Sequence, residues 1–533
     1  MRSSLEVWYK RSYVYKILAA TLLLNLLGIS MVVNRQAFRI ALGGDRVVAK
    51  DPKRAVVRNR DHLAIDTRSD PEEAVVFENI SRDIPYLPIE DLNNIHYKNR
   101  NLNHSCAWYP SFRDIQIHND YWQEFHNRNI TYYLFGAYLD NRPSVVYDHP
   151  MVRVLTMIHF IAANASDYPP TYCQLWYKEK PEPVITLASD LRRIWYYDWG
   201  HGPEHNYAHL LGCPVSEEHK KWIPKTVSLV VSPCDKATNN VKVFYQPLKE
   251  DEQKKGFAVC VKGLDYPYVD VSHRLVEYVE TLRSLGAEKI MMYNLQVHPN
   301  TTKVLKYYEE TGFLEYRPFS LSLEVSNLNE YRHMEMAKNG FAYILHEVVP
   351  YNDCLYRNMY LYKYVAVIDV DEILMPLGKY SNWSQLMEYG EKITNPNCKH
   401  FASYCFRCIY FPQYAEKPVY SKDIPPYFYM MQHVHRVKEH IRPQWATKCL
   451  HNTERVIATH NHFPIQWIWD VCPSFSFESA DAQLQHYREP PLKDTLDDPV
   501  VDTSLWRFKD DVIERSMKVF EDLSFFKEVS YDD

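Results

Sequence analysis

The sequence predicts an α/β protein preceded by a mainly β domain and by an apolar N-terminal anchor, and three observations carry that reading. After Gly256, strand-like and helix-like segments alternate. Across residues 107–247, short apolar runs are broken by Pro, Gly and Asn. Residues 17–33 form one uncharged apolar run. At 533 residues the chain is too long for one small core, and has room for about three domains or for two with linkers.

The apolar run ILAATLLLNLLGISMVV follows Arg2, Lys10, Arg11 and Lys16, a charge bias that keeps the leading end in the cytosol. It is short for a spanning helix but suits the thinner membranes of the early secretory pathway. No small-x-small cleavage site follows, because Asn34-Arg35-Gln36 comes next, so an uncleaved signal anchor is expected in preference to a cleaved signal peptide. Residues 1–16 are then a cytoplasmic tail, and everything beyond residue 33 is lumenal. All 11 cysteines lie beyond residue 100, as an oxidising compartment requires, and their odd number leaves one thiol over or one intermolecular bridge. Six Asn-x-Ser/Thr sequons, at Asn79, Asn103, Asn129, Asn164, Asn300 and Asn382, fall on the same side. Cys405-Phe-Arg-Cys408 has metal or redox spacing but no second Cys pair, so each is expected in a structural disulfide.

Residues 34–95 read as a stem, charged and Pro-punctuated without an apolar period. Residues 96–250 read as the mainly β domain, with runs at 130–139 and 227–231, closed by the polar stretch 249–255. Residues 251–515 carry the α/β pattern and 516–533 a C-terminal tail. The net charge of −6 offers no basic field, which excludes nucleic acid as a partner. The 42 Tyr and 12 Trp suit carbohydrate faces as well as cores.

Within the α/β part, residues 257–261 form an apolar strand. Val271, Leu275, Tyr278, Val279 and Leu282 then recur at helical spacing, with Arg274, Glu277, Glu280 and Arg283 opposite. Gly286 stops that helix, residues 289–295 make the next strand, 302–311 a second helix stopped by Gly312, and 314–318 a third strand. This βαβαβ order predicts a parallel sheet whose ligands bind beyond the carboxyl ends of its strands. The stretch YVAVIDVDEILMP, residues 364–376, is a further strand that runs into Asp369, Asp371 and Glu372 at that end. Two carboxylates so placed can hold a hard divalent cation, which in turn grips a diphosphate.

The strings FAVCVKGLDYPYVDVSHRLVEYVETLRSLGAEKIMMYNLQVHP, NDCLYRNMYLYKYVAVIDVDEILMP and ATHNHFP, in that order, resemble glycosyltransferase family 92 over residues 225–475. The resemblance implies a GT-A type fold, inversion at the anomeric carbon, and β-1,4 transfer of galactose from UDP-galactose onto a glycan or glycoprotein acceptor such as core fucose of N-glycans. It also implies a Golgi membrane protein of type II topology and a Mn²⁺ or Mg²⁺ cofactor. Carried over by residue, Asp371 is the direct metal ligand, and Asp369 belongs to the same metal site, nearer the ribose or behind the direct ligands. Lys262, at the end of the first strand, is a phosphate or uridine contact or else an exposed loop lysine. His460 and His462 share one face of an extended segment and are the candidate metal histidines. Asn352 and Asp353 are expected to cap the helix before the metal strand. The base that deprotonates the acceptor is open among Glu416, Asp423, Glu439 and Asp470. Two other functions stay open. One is a carbohydrate-binding protein whose catalysis has lapsed; the other is a zinc hydrolase, since His433 and His435 repeat the His-x-His spacing.

Overall fold

Alternation along the strand Lys255–Tyr266 sets the layers. Phe257, Val259 and Val261 point to one face and Ala258 and Cys260 to the other, and all five are buried, so both faces are covered. The computed structural model describes residues 71–93, 106–143, 149–202, 204–322, 326–412, 421–490 and 498–526. The expected membrane segment, residues 17–33, lies outside them. Among the described residues no helix is long and apolar enough to cross a membrane.

The strand Lys255–Tyr266 lies in a seven-stranded sheet of order Leu314–Pro318, Ala287–Val297, Lys255–Tyr266, Tyr362–Val367, Lys448–Asn452, Phe401–Phe406 and Cys472–Ser476. The first four strands are parallel, with Cys260 opposite Val367, so the stretch 369–372 leaves the sheet at the carboxyl edge that βαβ order predicts. The observed fold class is α/β. Helices Ser272–Leu285, Pro299–Glu310 and Lys509–Asp522 cover one face, through Leu275, Val279, Leu305, Val512 and Phe520. Helix Gly340–Asn358 covers the other through Val348, Tyr351 and Leu355.

Ten strands between Ile117 and Phe244 form a second sheet, mostly antiparallel, and its core residues Phe135, Val154 and Leu210 belong to the same apolar cluster as that helix. Helix Gly340–Asn358 is therefore a filling between two sheets. Five disulfides pin the layers: Cys106–Cys234, Cys173–Cys213, Cys260–Cys354, Cys398–Cys472 and Cys405–Cys449. Cys408 is left as a buried free thiol, which corrects the expectation that both cysteines of the Cys405/Cys408 pair are bonded.

Other expectations are corrected by packing. Asn352 and Asp353 do not cap a helix; Pro350 lies inside the helix, and both residues sit fully buried beyond it. Asp353 accepts from Tyr86, Tyr138, Tyr293 and Arg357, and so joins both sheets and the segment before them. The stem drawn to residue 95 ends earlier, because Pro71–Asp83 is helical and Tyr86, Leu87 and Leu92 are buried. Helix Lys509–Asp522 crosses the 515/516 boundary, and its buried period of Val512, Ser516, Val519 and Phe520 packs it on Ser272–Leu285. That helix also covers Glu280, which is not on a solvated face as expected but bonded to Arg515 and Tyr308.

Candidate active site

Beyond Val367 the chain turns sharply. Glu372 N–H donates to the Asp369 carbonyl at 3.1 Å and Asp369 N–H donates to Glu372 Oε2 at 2.9 Å, a reciprocal pair that reverses the strand into Glu372–Pro376. Asp369 is inside the turn, its side chain 17% exposed, and Asp371 is at the lip, 38% exposed. Asp369 is fixed by Tyr351 Oη at 2.9 Å, Lys262 Nζ at 3.3 Å and Lys448 Nζ at 3.2 Å. Lys448 also contacts Glu372 at 3.0 Å and donates to Asn461, and Lys262 donates to Glu347 at 2.9 Å. Asn461 closes the ring by donating to Glu347 at 2.7 Å.

Burial opposes charge on Asp369, Lys262 and Lys448, and pairing outweighs it on these three; on Glu347 burial wins and lifts the carboxyl above its usual range. The two ammoniums hold the Asp369 carboxyl well below the usual carboxylate range. Asp369, with Glu347 at one lysine and Glu372 at the other, holds both ammoniums above theirs. Three carboxylates, Glu347, Asp369 and Glu372, thus share two ammoniums, Lys262 and Lys448, while Asp371 lies beside His486. Asp371 is bonded to neither ammonium and stands at the lip, facing outward.

Asp371 opens on a cavity of about 190 Å³ lined by Tyr266, Arg274, Val370, Tyr429, Tyr487 and Arg488, among others. Tyr266 ends the first parallel strand, and Arg274 lies in the first turn of Ser272–Leu285 with its guanidinium 3.7 Å over the Tyr429 ring. Glu277, one turn on, accepts the N–H groups of Tyr429, Met430 and Met431 at 2.6, 3.0 and 2.9 Å and so holds one wall in place. The cavity combines two cationic side chains, three phenols and one exposed carboxylate at the ligand edge of a parallel sheet.

The expected histidines are elsewhere. His460 packs among aromatic rings, 4.9 Å from Trp199 and 5.4 Å from Phe463, with neither ring nitrogen bonded; burial pushes its imidazole down to about 3. His462 pairs through Nδ1 with the Thr447 carbonyl at 3.0 Å, and burial pushes it down to about 4. The residue between them, Asn461, faces the carboxylates instead. The histidine beside Asp371 is His486, across the strand pair from Glu372: its Nε2 is 3.5 Å from Asp371 Oδ2 and its Nδ1 3.5 Å from Glu372 Oε1. Among the described residues no three His, Cys, Asp or Glu side chains converge at metal-holding spacing, so Asp369, Asp371, His460 and His462 do not form a preassembled ligand set.

Of the candidate bases, Glu416 lies outside the described residues. Asp423, Glu439 and Asp470 are exposed, Asp423 pairs with Lys509 at 3.6 Å, and none lines the cavity. Asn79, Asn129 and Asn164 are exposed, Asn300 donates to Asp270 at 2.7 Å, Asn382 caps the helix Trp383–Gly390, and Asn103 lies outside the described residues.

The profile of glycosyltransferase family 92 matches residues 255–525, just over half the chain and the whole of this sheet with its helices. The chain belongs to glycosyltransferase family 92. The family 92 segment contains every residue of the turn and of the cavity. No curated protein sequence matches the chain. Among solved structures it is similar to the apo structure of the bifunctional glycosyltransferase WbbM, at 10% identity and a TM-score of 0.21, over 53% of this chain and 55% of that one. Likeness at that level carries no argument for this family 92 protein.

Proposed function

We propose that the protein is an inverting, metal-dependent hexosyltransferase that uses UDP-galactose and builds a β-1,4 linkage on a glycan such as core fucose of N-glycans. The proposal includes a Golgi setting, with an N-terminal anchor and the catalytic part in the lumen. The galactose, linkage and acceptor rest on the family resemblance. The chemistry rests on one observation: an exposed carboxylate, Asp371, at the mouth of a cavity that also holds Arg274 and Arg488.

The residues fit a divalent cation. Asp371 Oδ2 and His486 Nε2 stand 3.5 Å apart, close to the separation of two donors on one metal. Asp371 with His486 would hold the ion, and a diphosphate and water would complete its oxygen-rich shell. When bound, Mn²⁺ or Mg²⁺ supplies charge neutralisation at a departing nucleoside diphosphate. The chain's own residues do the rest. Lys262 and Lys448 keep Asp369 ionised and the turn fixed, so that Asp371 projects without rearrangement. Arg274 and Arg488 face the diphosphate, and Tyr266 and Tyr429 offer rings to the base.

Release of UDP from a panel of UDP-sugars, with a core-fucosylated N-glycan as acceptor, tests the proposal. Turnover fastest with UDP-galactose is expected. Faster turnover with another UDP-sugar would overturn the donor assignment, and no turnover with any would favour a lapsed enzyme.

A further inference from the structure

A second groove has a volume of about 290 Å³. Tyr196 from the mainly β half, Gln444, Trp445 and Thr447 before the strand Lys448–Asn452, and Phe463 and Trp467 line it. Thr447 joins it to the active site: its carbonyl pairs with His462, and its neighbour Lys448 holds Asp369 at 3.2 Å.

Trp445 is the unusual residue of this lining, while the still more exposed Trp469, at 90%, lies outside it. The Trp445 side chain is 70% exposed, although an indole gains more from burial than most side chains. Both neighbours are in the left-handed region, Gln444 at φ 69° and Ala446 at φ 46°, where non-glycine residues cost free energy. Two strained residues in three hold an indole out in water at the rim of a cleft. Strain of this kind persists where the rest of the fold enforces it, and it gathers at ligand sites.

The chemistry of the groove differs from that of the cavity at Asp371. Among the described residues its lining holds no Asp, Glu, Lys, Arg or His; its polar groups are the neutral Gln444, Thr447, Ser474 and Ser476. A nucleotide or a charged peptide would find no counter-charge there. A neutral pyranose presents an apolar C–H face to a ring and hydroxyls to its edges, which matches what Trp445, Tyr196 and the four polar side chains offer.

We infer that this groove is the acceptor subsite, in which Trp445 stacks on a neutral sugar ring of a glycan. The inference rests on the transferase reading above and adds to it where the acceptor lies. Both halves of the protein then contribute to one acceptor site, the mainly β half through Tyr196.

The test is titration of fluorescently tagged neutral N-glycans, with and without core fucose, into the UDP-saturated lumenal chain. Trp445→Ala is expected to weaken glycan affinity about tenfold with UDP affinity within about twofold of wild type, and Trp445→Phe to recover most of the loss. Trp108→Ala, an exposed indole outside the groove, is the control and should bind as wild type does. Unchanged glycan affinity in Trp445→Ala overturns the inference, as does a parallel fall in UDP affinity, which would make the indole a structural element. Absence of glycan binding by wild type overturns it too. Absence of UDP binding by wild type would sink the transferase reading instead, and the glycan titrations without UDP would still judge the groove.

Discussion

Lys448 has no exposed side-chain surface, and its ammonium is shared by Asp369, Glu372 and Asn461. Removing one partner from such a group strands the others. Lys448→Met is therefore expected to cost about 3–5 kcal/mol in denaturant unfolding. Asp371→Asn keeps the size of a half-exposed side chain and should change stability by about 0.5 kcal/mol or less. Equal losses in the two variants would mean that the turn is not held as described. Glu372, by contrast, is 2% exposed and bonded to both Lys448 and the Asp369 N–H, so its replacement would disturb the turn itself.

Asp369 and Asp371 were legible in the sequence because an apolar strand that runs into carboxylates has no packing reason to do so. Lys448 was not: its burial depends on Asp369, 79 residues earlier, and nothing local marks it. The His-Asn-His triplet was read on the wrong face. Strand alternation correctly put both imidazoles together, but the face toward Asp369 is that of Asn461.

The wall formed by residues 429–431 is tied to the first helix by one carboxylate, Glu277. Glu277→Ala removes the acceptor of three backbone N–H groups, each worth about 1 kcal/mol. Amide exchange at Tyr429, Met430 and Met431 should accelerate, and UDP should bind more weakly. Protection equal to wild type would show that the wall stands without Glu277. The neighbouring turn responds in the opposite sense, since Ala446→Gly relieves a left-handed alanine and is expected to raise stability by up to about 1 kcal/mol. The order of strands and helices from 257 to 318 was readable from period and glycine stops alone. Helix Gly340–Asn358 was not, because a proline at its centre reads as a boundary and the tertiary packing of two sheets overrides it.

Among the described residues, burial pushes five histidines far down: His209, His346 and His462 to about 4, His451 and His460 to about 3. A folded pKa below the unfolded value of about 6.5 means that this stability is present above pH 6.5 and is lost as pH falls toward 3–4. Each contributes about 1.4 kcal/mol per pH unit inside that window. Glu277 runs the other way: burial lifts its carboxyl to about 7, outweighing the three N–H groups, and that stability is present in acid and lost as pH rises through 7. His273, His433 and His440 are lowered as well, and Glu347 is raised like Glu277; the histidines outnumber the glutamates and predict a lower urea midpoint at pH 5.0 than at pH 7.5, and a higher one would contradict their buried, neutral state. None of this burial is visible in sequence, where a histidine in an apolar run reads equally as ligand or core.

At the scale of the whole molecule, a sheet edge delivers Asp371 to the mouth of a cavity, with His486 beside it, and the proposed function puts the nucleotide there. Calorimetric titration of UDP with and without Mn²⁺ measures that directly, on wild type, Asp371→Asn, His486→Ala and His460→Ala. UDP affinity should rise with Mn²⁺ in wild type, lose that rise in Asp371→Asn, and fall more in His486→Ala than in His460→Ala. Folded Asp371→Asn protein with unchanged Mn²⁺-dependent affinity would contradict the account.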